Sequence, residues 1–196
     1  MEKMELHQIF PVIIGVTENK NHKLIEKKLI EECKFIKKNF KKGGKNWSVS
    51  TFNTCGSYNL TTNQKFDDLH TWIFKEVDKY KNQISHKNSK IKCIDSWFNI
   101  YNKYDYQERH EHYPNDISAV YYLKTPENSG SINFYTHEPY GGNFGYIENN
   151  PLTWKTYWLN PKPGTLLIFK SNLMHEVEQN KSNQQKISMA LNFKIL

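Results

Sequence analysis

The chain has 196 residues, a net charge of +7, 37% apolar residues and 14% aromatic ones. That length can bury a core as one domain, and a disordered chain would be poorer in aromatic residues. No apolar run approaches the roughly 20 residues needed to span a bilayer, and the first residues are acidic where a secretory leader is basic. All 27 basic residues except Arg109 are Lys. A nucleic-acid reader uses Arg forks on bases and phosphates, so the surplus reads as a solvated surface, with no specific nucleic acid and no membrane as partner. Cys33, Cys55 and Cys93 are odd in number and far apart. They exclude a disulfide framework and a cysteine zinc site, and they suit a reducing compartment, so a soluble cytoplasmic protein is expected.

Phe10 to Val16 is the first strand candidate. Ile25, Leu29, Cys33, Ile36 and Phe40 then recur at helical spacing and form one apolar face. Lys37, Lys38, Lys41 and Lys42 load the end of that helix, where cations suit the dipole, and Gly43-Gly44 is expected to terminate it. Trp47 to Leu60 reads as short strands or loop. A second helix is expected from about Phe66 to Ile84, with Phe66, Leu69, Ile73, Val77 and Tyr80 on its inner face. From about Ile91 no helical period recurs. The segments IKCIDSWFNIY, DYQERHEH, ISAVYYL, GSINFY, LTWKTYWL, GTLLIF, HEVEQ and KISMALNFKI read as strands between turns, the pattern of a sandwich or barrel. The expected fold is α+β and a single domain: residues 1–90 form a helical buttress with N-terminal strands, and residues 91–196 form the β core.

His110 and His112 are two apart on an extended segment, so alternation puts both rings on one face and turns Glu111 away. His175 opens a later strand after the apolar run Thr165 to Phe169, and such a strand can return beside the first pair. Three imidazoles could then share one metal. Asp116, beyond Pro114, and Glu111 are the alternative carboxylate ligands. In KISMALNF, Lys186, Ser188, Ala190 and Asn192 alternate with Ile187, Met189 and Leu191. If the first set faces inward, a cation and a hydroxyl lie deep in the barrel, and a buried Lys calls for an anionic ligand. Asn99 shares a strand face with Trp97 and would need a partner there.

These residues carry a resemblance. His-x-Asp/Glu, a distant His and a cation about ten residues later is the pattern of the double-stranded β-helix (jelly-roll, cupin-like) dioxygenases that use Fe(II) and 2-oxoglutarate. The chain resembles the prolyl-hydroxylase-like members most, through HEH at 110–112, YYL at 121–123, HEV at 175–177 and Lys186. Through Ile9-Phe10-Pro11, Trp97-Phe98-Asn99 and His110-Glu111-His112 it is similar over nearly its whole length to a group of 2-oxoglutarate/Fe(II) oxygenases from phages and marine bacteria. The resemblance implies that His110, His112 and His175 bind iron, that Tyr122 hydrogen-bonds 2-oxoglutarate, and that Lys186 pairs with its distal carboxylate beside Ser188. Asn99 is a further candidate contact. It implies a hydroxylase that uses O2, releases succinate and CO2, and acts on a peptidyl, amino-acid or other small substrate. Two departures stand out. His112 replaces the carboxylate of the common facial triad, which leaves the metal site one unit more positive. Lys186 replaces the usual Arg, so a point charge stands where a fork would grip.

The remaining residues carry plainer expectations. Tyr121 should pack on the outer side of its strand, and Trp97 and Phe98 should be core aromatics. His7, His22, His70 and His86 should be solvated or lie on helix surfaces, and His137 should lie in a loop. Asn192 is a weak candidate contact. Residues 139–163, rich in Gly, Pro and aromatic rings, are expected to cover the site and touch substrate, unless LTWKTYWL is strand core. Two other functions fit the residues alone: a three-His Fe(II) dioxygenase that needs no 2-oxoglutarate, and a non-catalytic metal-binding β-sandwich protein.

Overall fold

The structure, a computed structural model, describes residues 11–44, 47–84, 88–136 and 154–196. Two helices precede most of the strands. The order is β1 (Ile14–Glu18), α1 (His22–Asn39), β2 (Phe52–Asn53), α2 (Asp67–Ile84), β3 (Ile91–Tyr101), β4 (Gln107–His110), β5 (Ile117–Lys124), β6 (Ile132–Tyr135), β7 (Thr156–Leu159), β8 (Thr165–Lys170), β9 (His175–Val177) and β10 (Lys186–Ile195). All pairings are antiparallel. A major sheet runs β1-β8-β5-β10-β3-β2, and a minor sheet runs β4-β9-β6-β7. No helix among the described residues is long and apolar enough to cross a membrane.

Strand alternation divides the molecule into two cores. On the major sheet, Phe98, Ile100, Ala119, Tyr121, Leu123, Leu166, Ile168, Ile187, Met189 and Leu191 face the helices. There they meet Leu29, Cys33 and Ile36 of α1 and Leu69, Ile73, Val77 and Tyr80 of α2. Each fully buried aliphatic side chain in such a layer contributes about 1.5–3 kcal/mol. The opposite face, with Tyr122, Leu167 and Phe169, packs on Ile132, Phe134 and Leu173 at the minor sheet. The helical stripes therefore lie where their spacing puts them, except that Phe40 falls past the end of α1 and is 40% exposed. The Asp67-Asp68 start of α2 also places acids at the positive end of its dipole.

Several expectations change. The first strand begins at Ile14, past Pro11, and residues 1–10 lie outside the described residues, His7 and Ile9-Phe10 among them. Helix α1 ends at Asn39, four residues before the glycine pair. Gly43 is there for closeness: a Cβ at this position would sit 2.0 Å from the Cys55 carbonyl oxygen. Its amide donates to Asn53 O, which ties the exit of α1 to β2. His22 and His70 are buried, not solvated: His22 Nδ1 lies 2.7 Å from the Tyr121 hydroxyl and His70 Nε2 lies 3.3 Å from Ser96 Oγ. Burial pushes His70 down to about 4. Of LTWKTYWL, Thr156–Leu159 are strand. His86, His137 and the 139–153 part of the expected cover lie outside the described residues.

Candidate metal centre

Three imidazoles converge between the two sheets. The ring centroids lie 4.3 Å apart for His110 and His175, 4.9 Å for His110 and His112, and 5.1 Å for His112 and His175. One nitrogen from each lies within 4.8 Å of the others, a spacing that fits a single ion. His110 and His175 face each other across paired strands β4 and β9. His112 arrives differently from the expectation. Strand β4 ends at His110, and His112 sits in the following turn, held by its amide donating to Ser171 O. Glu111 is exposed, and Asp116 is engaged elsewhere: it accepts from the Ile195 amide at 2.8 Å and lies 3.5 Å from Lys194. Neither carboxylate joins the cluster.

The rings are prepared as ligands. His110 Nδ1 lies 2.7 Å from Glu108 O and His175 Nδ1 lies 2.8 Å from Leu173 O. A carbonyl can only accept, so each Nδ1 carries the proton and each Nε2 keeps its lone pair. Burial lowers the pKa of all three imidazoles, His112 to about 3 and His175 well below the usual range. The set is neutral at physiological pH. Aromatic rings wall it in: Trp47 beside His110, Trp97 beside His112, and Phe169 beside His175. Trp97 is thus a wall of the site as well as a buried aromatic.

A narrow cavity runs from the imidazoles down the barrel. Register explains its lining. Lys186 pairs with Tyr101, and Ser188 pairs with Asn99 on one side and Tyr122 on the other, so all five project inward. Lys186 is 1% exposed. Its ammonium donates to Gly130 O at 2.7 Å and Ser129 O at 3.3 Å, between the rings of Tyr101 and Tyr122. Burial lowers its pKa to about 8, and Glu178 opposes that shift only in part. Ser188 hydrogen-bonds the Tyr101 side chain. Asn192 lies beyond, accepting from Ser118 Oγ at 2.8 Å, and does not line the cavity.

Unpaired polar atoms concentrate here. Of nine buried side-chain N and O atoms without a partner among the described residues, five line this cavity: Trp97 Nε1, Asn99 Oδ1, both Gln107 amide atoms and Tyr122 Oη. Each such atom costs about 1–3 kcal/mol when left unmade. Together with a buried cation, they fit a polar anionic guest. The enclosed space is about 30 Å³, so side chains must part as such a guest enters. The sequence reading named His110, His112, His175, Tyr122, Lys186, Ser188 and Asn99, and all seven border the cavity. It missed Trp47 and Gln107.

Residues 95–192 match the family described as "Putative 2OG-Fe(II) oxygenase". A search of curated protein sequences found no match. Among solved structures, the chain is similar to a Pseudomonas putida prolyl-4-hydroxylase: 14% identity, 92% of this chain and 91% of that one covered, TM-score 0.64. It is similar to a Trichoplax adhaerens prolyl hydroxylase in complex with a hypoxia inducible factor peptide: 16% identity, 92% and 83% covered, TM-score 0.64. It is also similar to the epimerase SnoN in complex with Fe3+, alpha ketoglutarate and nogalamycin RO: 9% identity, 92% and 78% covered, TM-score 0.68. At these identities the likeness establishes the fold, a double-stranded β-helix buttressed by helices.

Proposed function

The chain belongs to the 2-oxoglutarate–Fe(II) oxygenase family, and from that premise we propose that His110, His112 and His175 hold the iron while Tyr122, Lys186, Ser188 and Asn99 hold 2-oxoglutarate. The enzyme is a 2-oxoglutarate-dependent dioxygenase that uses Fe(II) and O2. Bound there, iron would supply the oxidation: O2 would give one oxygen atom to 2-oxoglutarate, consumed to succinate and CO2, and the other to the substrate. The residues do the rest. Three neutral rings would give the ion strong nitrogen donors. Lys186 neutralises the carboxylate at the cavity floor, and the Tyr122 hydroxyl donates to it. Trp47 and Trp97 exclude water from the imidazoles.

The observation that carries this reading is the buried Lys186 at the end of a cavity whose other end is three converging imidazoles. A structural metal site needs no such cation. We read the whole chain as one oxygenase domain, with residues 1–90 as buttress and 91–196 as core. The reaction we propose is hydroxylation of an unactivated C–H bond. The substrate class is peptidyl, amino-acid or small-molecule: two of the similar structures are prolyl hydroxylases, and SnoN was solved with nogalamycin RO. The free cysteines Cys33, Cys55 and Cys93 suit a cytoplasmic setting.

Anaerobic titration of the protein with Fe(II) and then 2-oxoglutarate tests the reading. A visible charge-transfer band, present in the wild type and absent in His110→Ala, is expected. No band, or oxygen uptake without stoichiometric succinate, would replace it with the cosubstrate-free dioxygenase.

A further inference from the structure

Lys186 has three N–H groups, and two of them point at Gly130 O and Ser129 O. One remains for a ligand. A carboxylate offers about four lone-pair sites, and an Arg fork would fill two at once. With one N–H from Lys186 and one O–H from Tyr122, such a carboxylate still has acceptor sites unmet.

Gln107 stands where the shortage falls. It is 3% exposed, and neither its Nε2 nor its Oε1 has a partner among the described residues. It points into the same cavity as Lys186, Tyr122 and the three imidazoles. Simple alternation would forbid this, because Gln107 and His110 are three apart and should face opposite ways. The register of β4 shifts between them: Gln107 pairs with Val177 but His110 pairs with His175, so three steps on β4 match two on β9. That bulge turns both side chains inward. The rows of the minor sheet then set the depth. His175 aligns with Phe134, whereas Val177 aligns with Ile132, two residues after the Gly130 whose carbonyl holds Lys186. Gln107 thus sits one row deeper than the imidazoles, on the Lys186 side.

We infer that Gln107 is a binding residue for the distal carboxylate of 2-oxoglutarate, supplying through its carboxamide nitrogen a further donor beside Lys186 and Tyr122. The inference rests on the cosubstrate reading above. Rotation of the amide turns Nε2 toward the carboxylate.

The test uses the full chain loaded with Fe(II) under anaerobic conditions and titrated with two ligands. One is 2-oxoglutarate; the other is 2-oxobutyrate, which keeps the chelating end but lacks the distal carboxylate. Gln107→Leu should weaken 2-oxoglutarate binding about 10- to 100-fold, the range for a hydrogen bond to a charged group. It should leave 2-oxobutyrate and Fe(II) affinity within about twofold, and the metal-free melting temperature should stay level or rise as two unpaired atoms disappear. Gln107→Glu, nearly isosteric, should weaken 2-oxoglutarate further by setting carboxylate against carboxylate, and it covers the case in which the Leu variant does not fold. Unchanged 2-oxoglutarate affinity in Gln107→Leu, or equal weakening of both ligands, would overturn the inference. Lys186→Ala separates the two failures. Should it bind 2-oxoglutarate as tightly as wild type, the assignment of Lys186 fails, while a selective loss in Gln107→Leu still supports Gln107. Should the wild type bind no 2-oxoglutarate, both fall.

Discussion

Strand β10 serves two regions of opposite character. Its outward residues, Ile187, Met189, Leu191 and Phe193, lie in the apolar layer under the helices. Its inward residues Lys186 and Ser188 border the cavity, where polar atoms lack partners among the described residues. One backbone therefore holds a face that stabilises the fold and a face the fold tolerates. The comparison teaches that stability and chemistry can be perturbed separately by substitutions one residue apart.

The largest expected contrast sets Leu191 against His110. Leu191→Ala should cost about 2–5 kcal/mol through the cavity it opens, lowering the melting temperature by roughly 4–20 °C. The folded fraction should still bind Fe(II). His110→Ala should do the reverse, abolishing the Fe(II) signal while a half-buried ring is lost with little thermal effect. Calorimetry and metal titration on the same samples decide this, and Fe(II) loss in the Leu191 variant would erase the distinction between the faces.

A smaller effect comes from pH. Burial holds Lys186 near 8 in the ligand-free protein, and a bound dianion favours its protonated form. Affinity for 2-oxoglutarate should be highest below that value. Above it, each pH unit should weaken binding by up to about tenfold, because the ammonium must first be regained. Isothermal titration from pH 7 to 9.5 should also show proton uptake on binding. A flat profile would mean that Lys186 does not face the carboxylate. The smallest effect is that of Tyr122→Phe, which removes a hydroxyl that has no partner among the described residues. Weakening of roughly 2- to 12-fold is expected, with no loss of thermal stability.

The parts of this molecule that obey a period could be read from the chain. Helical spacing placed Leu29, Cys33, Ile36, Leu69, Ile73 and Val77 in the core. A period of two placed Lys186 and Ser188 inward and Ile187 and Met189 outward. What broke a period was hidden. Gln107 faces the cavity only because of a bulge, and nothing local in QERH announces one. His112 reaches the cluster from a turn held by Ser171, 59 positions away in sequence. His22 and His70 look like helix-surface residues until their partners Tyr121 and Ser96 come in from distant strands. Gly43 reads as a helix stop, yet its role is set by Cys55.

The carbonyls of Glu108 and Leu173 each lie two residues before the histidine whose Nδ1 they receive. Each ring is thereby fastened by its own stretch of chain, with no need of a distant carboxylate to steer it. Capturing an ion then requires no reordering of the chain and releases no proton from those two ligands. Unlike a zinc finger, which collapses when stripped, this scaffold does not depend on the ion for its shape, and a chelator should remove its chemistry while leaving its architecture intact.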